Sequence, residues 1–309
     1  MGFSENKNRL FLAFLVFFLF LAFSCSGPRH ESVTVDFSTS TEEGDDYAGH
    51  DSLPVLRVAI ATVISPRESF VYYKELFDYI SQRLHLKVEF KQRMTYQEVN
   101  ELLAQNLVDI AFICSGAYVV GSENMELLVV PVHNGLPYYQ GYIITQQNSA
   151  FTRFEDFRGK SFTYSDPLCF TGKLFIDGKL KGMGTSSDEF FSQVLYSSSH
   201  DISIQMVSRN LADGASVNGL IFDYLSQFQP EAIQNIRLIE KSNYFGIPPI
   251  VNSRGLDRSL RSEIQELFLD MHLHEQGRQI MYQLQVDRFI LAGDTLYDGI
   301  RQARKFLEP

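Results

Sequence analysis

The side chains that could do chemistry in this sequence sit at the ends of its elements. Tyr96 falls in the first turn of a helix that follows the strand 88–93. Thr171 and Gly172 open a helix within DPLCFTGKLF, the stretch from Asp166 to Phe175. His200 ends a strand-like run just before another helix. Hydroxyls, an imidazolium N–H and the free N–H groups of a helix start are all donors, so their shared chemistry is to hold an oxyanion. Taken singly, each residue also reads as an ordinary cap, turn or buried side chain. Cys169, close to a helix start, is a candidate for a lowered thiol pKa.

Catalytic arrays do not emerge. The sequence has no nucleophile elbow, Walker loop, GxGxxG or HExxH. Ser199 stands beside His200, but adjacency in sequence is not a catalytic geometry. His272 and His274 are two apart on a predicted helix and point to different sides, and no CxxC exists. No catalytic residue, metal or cofactor is expected, and the chain does not read as an enzyme.

The elements that would position these donors form an α/β chain. With 309 residues, 45% hydrophobic and 21% charged, it has material for two lobes with separate cores. The net charge of −10, with no basic stripe, argues against a nucleic-acid partner. Strand 56–62, a helix capped at Ser65–Glu68, strand 88–93, the Thr95-capped helix and strand 108–114 give β-α-β-α-β. That order predicts a parallel sheet covered by helices. A second α/β unit runs from about 142 to 240, and after Pro248-Pro249 the chain reads as helical. Two crossings, near 140–142 and 244–246, would divide lobe 1 (53–141 and 246–309) from lobe 2 (142–245), with ligand between them.

The N-terminus reads as an export signal. Lys7 and Arg9 precede an apolar run from Leu10 to Phe23, too short for a comfortable membrane span. The ending LAFSC looks like a lipobox, which makes residues 1–24 a signal peptide and Cys25 the lipidated residue; a plain secretory signal or an anchor helix are the alternatives. Residues 25–52 then form a polar tether with one basic residue, Arg29, against seven acidic ones. The expected location is the outer side of the membrane, in the cell envelope. Cys114 and Cys169 are either one disulfide or two small buried residues.

In the order of its motifs the sequence resembles the periplasmic phosphate/phosphite/phosphonate-binding proteins of ABC transporters. The likeness spans about 55–306. It runs through RVAIATVISPRESFVYYKELFDYISQRL, TYQEVNELLAQNLVDIAFICSGAYV, GYIITQQNSAFTRFEDFRGKSFTYSDP and LADGASVNGLIFDYL. The resemblance implies a type II periplasmic-binding fold, two lobes closing on a small oxyanion, and delivery to a membrane permease by a monomer. A sensory or divergent protein of the same fold, with another ligand or a protein partner, is the alternative. Position by position it implies ligand contacts from Tyr96, Tyr142, His200, Thr171, Gly172 and, less directly, Asp223. The family's Ser-Thr-Ser-Gly run is here Cys169-Phe170-Thr171-Gly172, so two hydroxyls are replaced by a thiol and a ring. Phe170 is expected to make the pocket more apolar. Where aminophosphonate binders carry two acids, at most Asp223 is left, with Pro248 at the other position; an aminoalkyl ligand is disfavoured.

Overall fold

The computed structural model describes residues 53–61 and 66–308, with side chains from Tyr73 onward in the first helix. The signal peptide, Cys25, the tether and the cap at Ser65 lie outside these residues.

The first lobe is built from β1 (Val55–Ile60), α1 (Pro66–Leu84), β2 (Lys87–Gln92), α2 (Tyr96–Ala104), β3 (Ile110–Phe112), α3 (Ser115–Gly121) and β4 (Met125–Val132). Strands β1, β2 and β3 pair in parallel, as βαβ units require. Helix α2 starts where its sequence says it should. Thr95 Oγ1 accepts the Glu98 N–H at 3.2 Å, and the Glu98 carboxylate accepts the Thr95 N–H at 2.9 Å.

A two-stranded ribbon marks the passage between lobes. β5 (Tyr138–Tyr139) on the outward pass pairs antiparallel with the returning chain at Phe245–Gly246. The second lobe contains β6 (Gly141–Gln146), β7 (Ser161–Tyr164), α4 (Phe175–Gly182, preceded by one wide π-type turn, Phe170–Leu174), α5 (Ser187–Phe190) and β8 (Gln193–Tyr196). Then come α6 (His200–Ser208), β9 (Gly214–Asn218), α7 (Gly219–Phe228) and β10 (Ile236–Lys241). Its sheet runs β10-β6-β9-β7-β8 over an aromatic core in which Phe162 and Phe191 stack at 4.6 Å.

The return segment is not wholly helical. After β11 (Phe245–Gly246) it adds β12 (Ile250–Ser253) before α8 (Arg258–Asp270), α9 (Glu275–Gln283), β13 (Arg288–Ile290) and α10 (Asp298–Leu307). β12 enters the first sheet between β3 and β4, antiparallel to both, giving the order β13-β4-β12-β3-β1-β2. The sheet is therefore mixed, not purely parallel. Four buried residues are too short a run for periodicity to separate strand from helix, which is why the sequence reading passes over β12.

Candidate functional site

The donors named from sequence do not all meet. Tyr96, Cys169, Thr171, Gly172 and His200 converge between the lobes; Phe170, Tyr142 and Asp223 go elsewhere.

At the convergence two sulfurs lie face to face. Cys114 is the N-cap of α3 in the first lobe, and Cys169 the N-cap of the wide turn in the second; their Sγ atoms are 3.7 Å apart. Both thiols are buried and free. The Gly172 N–H donates to Cys169 Sγ at 3.2 Å, and His200 Nε2 lies 3.3 Å from the same sulfur. His200 Nδ1 accepts the Asn218 N–H at 3.2 Å, so the ring proton sits on Nε2 and points at the thiol. That tautomer leaves no lone pair on the nitrogen facing the sulfurs. Among the described residues, no group of three or more His, Cys, Asp and Glu is arranged to hold a metal.

Burial sets the electrostatics here. It pushes His200 down to about 3, so the imidazole is neutral at physiological pH. The imidazolium role expected from sequence is therefore corrected to that of a neutral donor. Cys169 is likewise corrected: burial and the neighbouring Cys114 thiol hold it well above the ordinary thiol range, the reverse of the lowered pKa expected near a helix start. Burial opposes ionisation of Cys114 too. There the Cys169 thiol and the N–H groups of Phe170, Gly116 and Ala117 outweigh it, so the first proton of the pair leaves Cys114.

Around the sulfurs stand further hydroxyls. Tyr96 and Ser165 each bury a hydroxyl that makes no hydrogen bond. An added Cβ at Gly172 would come within 2.1 Å of Ser165 Oγ and 3.0 Å of Cys169 Sγ, so only glycine fits this turn. Thr171 is buried; its carbonyl accepts the Ser216 hydroxyl, and its side chain lies against Gly141. Tyr139, from the passage ribbon, shares a 2.7 Å hydrogen bond with Ser115 beside Thr171.

Asp166, first residue of the stretch quoted above, joins the lobes. Its Oδ2 accepts the Tyr96 N–H at 3.1 Å, and Oδ1 accepts the Leu168 N–H at 2.7 Å. The free N–H at the start of α2 is thus taken by a carboxylate of the chain itself. Sequence reading missed Cys114, Ser115, Tyr139 and Asp166 as members of the site. The signal for the first two was present: like Thr171, they stand where a strand runs into a helix.

Phe170 is not among the residues that line the interlobe cavity described below. It crosses into the core of the first lobe, with its ring centroid 4.3 Å from that of Phe245 and with Tyr297 and Ile300 in the same cluster. Tyr142 and Asp223 pair with each other inside the second lobe. Tyr142 Oη donates to Asp223 Oδ2 at 2.9 Å and accepts from Lys241 Nζ at 3.1 Å. That network stabilises the base of α7 and presents no free donor from Tyr142.

A cavity of about 150 Å³ lies between the lobes next to the thiols. Ala61 and Ile113 line it from the first lobe, Asn218, Leu220 and Ile221 from the second, and Pro248 from the returning chain.

The family profile described as the periplasmic substrate-binding protein of a phosphonate ABC transporter matches residues 58–297. The phosphonates-binding periplasmic protein of Escherichia coli K12 is 22% identical over 236 residues, covering 74% of this chain and 70% of that protein. The phosphate-import protein PhnD of Mycolicibacterium smegmatis is 26% identical over 163 residues, or 49% of this chain and 50% of its own length. Among solved structures, the binding-protein component of a Pseudomonas aeruginosa phosphonate transporter superposes with a TM-score of 0.78 at 21% identity, covering 82% of this chain and 87% of that one. PhnD1 from Prochlorococcus marinus, in complex with methylphosphonate, gives 0.75 at 16% identity, covering 82% and 98%. The two-lobed architecture is that of a type II periplasmic-binding fold.

Proposed function

Since the chain belongs to the periplasmic substrate-binding proteins of phosphonate ABC transporters, we propose that it captures a small phosphate- or phosphonate-like oxyanion between its lobes and presents it to a membrane permease. One observation supports this reading above the others. The buried Tyr96 hydroxyl, without a partner, comes from the first lobe to the place where the second presents the Thr171 hydroxyl and where the Gly172 N–H and His200 Nε2–H point at the Cys169 sulfur. All are neutral donors, suited to oxygens that carry negative charge. In this reading the role is binding, as in the family. Lobe closure would exclude water and strengthen each hydrogen bond. Lipid attachment at Cys25 would hold the protein on the outer face of the membrane as a monomer. Among the described residues no helix is long and apolar enough to cross a membrane.

Calorimetry of the full chain against phosphate, phosphite and methylphosphonate tests the reading. One or more should bind, and Thr171→Ala and His200→Ala should each weaken that binding about tenfold. No binding of any of the three overturns it.

A further inference from the structure

Two buried thiols from opposite lobes meet with nothing between them. Cys114 stands at the start of α3 and Cys169 at the start of the wide turn, 55 residues later, with Sγ atoms 3.7 Å apart. Cys114 is 2% exposed and Cys169 not at all. Oxyanion capture has no use for such a pair, since a thiol is a weak donor.

The surroundings hold the sulfurs together. Ala61, Tyr96 and Ala117 pack with both in one cluster. The Gly172 N–H and His200 Nε2 fix Cys169 Sγ from the second lobe, at 3.2 and 3.3 Å. The backbones that carry the thiols touch as well. A Cβ added to Gly116 would lie 2.3 Å from the Leu168 carbonyl oxygen.

We propose that Cys114 and Cys169 form a reversible disulfide that locks the lobes shut, so that oxidation by a small hydroperoxide turns the protein off as a binder. A momentary opening admits the peroxide. Cys114 reacts first, because its proton leaves before that of Cys169. Its thiolate attacks one peroxide oxygen; the S–O bond forms, the O–O bond breaks, and the departing hydroxide takes up the thiol proton as water. Reclosure brings Cys169 onto the Cys114 sulfenic acid. The S–S bond forms, the S–O bond breaks, and the second hydroxide leaves as water with the Cys169 proton. The two sulfurs lose two electrons and the peroxide gains them. Because the bonded residues belong to different lobes, separating the lobes would then require breaking a covalent bond. The bond stands on the geometry alone; its effect on ligand rests on the oxyanion reading above.

Hydrogen peroxide treatment of the full chain, followed by peptide mapping and by calorimetry with methylphosphonate, tests it. The treated protein should carry a Cys114–Cys169 cross-link, lighter by two hydrogens, and should no longer bind; dithiothreitol should restore binding. Cys114→Ser should give no cross-link, and its affinity should be the same with and without peroxide. No cross-link, a cross-link to Cys25 instead, or a Cys114–Cys169 cross-linked protein that still binds overturns the inference and leaves the oxyanion reading standing. A reduced protein that binds neither methylphosphonate, phosphate nor phosphite overturns the oxyanion reading. The lock then stands if peroxide gives the Cys114–Cys169 cross-link and a higher urea midpoint that dithiothreitol reverses, and falls if either is missing.

Discussion

Cys114 and Cys169 face each other across the two lobes with sulfurs 3.7 Å apart, each at the N-cap position of a helix or turn. At the second of these starts an N–H that would otherwise meet an anion meets sulfur: the Gly172 N–H reaches Cys169, whereas the Cys114 side chain accepts no capping hydrogen bond. The thiols therefore stand within the donor cluster, and their behaviour reports on whether the lobes are apart.

Neither thiol should react with iodoacetamide in the closed protein, because both are buried. Alkylation followed by mass spectrometry should go through lobe opening, at a rate far below that of the unfolded chain. A ligand that holds the lobes together should slow it further. Modification at the unfolded rate would show that the interlobe packing does not persist in solution.

Cys169→Ser puts a hydroxyl where a poor donor now stands. A hydrogen bond to a charged oxygen contributes about 1.5–3 kcal/mol, so affinity for methylphosphonate should rise about tenfold or more. Calorimetry on both proteins decides it. Unchanged affinity would remove Cys169 from the ligand's reach.

His200 should make stability depend on pH but leave affinity nearly independent of it. Burial lowers its pKa to about 3 in the fold, against the ordinary value of 6.5. Between those values the unfolded chain binds a proton that the folded one refuses. Stability is thus full above pH 6.5 and falls as pH drops, by about 1.4 kcal/mol per unit. Urea unfolding at pH 7.5, 6.0 and 5.0, compared with His200→Gln, isolates the effect. The variant should lose that slope, and equal slopes in both proteins would disprove a neutral, buried His200.

Much of this arrangement was legible in the sequence, and the rest was lost for physical reasons. The helix start at Thr95 announces itself, because capping is local chemistry between residues three apart. The convergence of Tyr96, Thr171 and His200 follows from strand-end and helix-start logic. The partners of Tyr142 and Phe170 do not. Whether a tyrosine faces a cleft or an aspartate 81 residues away is set by tertiary register, and sequence spacing carries no such information. Phe170 looked like a pocket wall because its neighbours are; an adjacent residue on a turn points the other way, here into the first-lobe core. His200 and Cys169 were misjudged in charge because their burial was not legible. For Cys169 the helix-start argument assumes some exposure, and complete burial reverses it; for His200 burial and the helix start both disfavour the charged ring.

Closure itself depends on two contacts made by the stretch 168–170. An added Cβ on Gly116 would lie 2.3 Å from the Leu168 carbonyl and 2.8 Å from the Phe170 nitrogen. Those are backbone atoms of the opposite lobe and cannot turn aside like a flexible side chain. Gly116→Ala should therefore cost about 1–3 kcal/mol in urea unfolding and weaken ligand binding by separating the lobes. Phe170→Ala removes a buried ring from the first-lobe core and should cost about 3–5 kcal/mol, with Phe170→Leu recovering much of it. The two variants differ in what they test. If Phe170 acts between lobes, Phe170→Ala should also raise the iodoacetamide rate at Cys169 under conditions where the protein is still folded by circular dichroism. Loss of stability with no change in that rate would make Phe170 a core residue of one lobe and not a clasp between two.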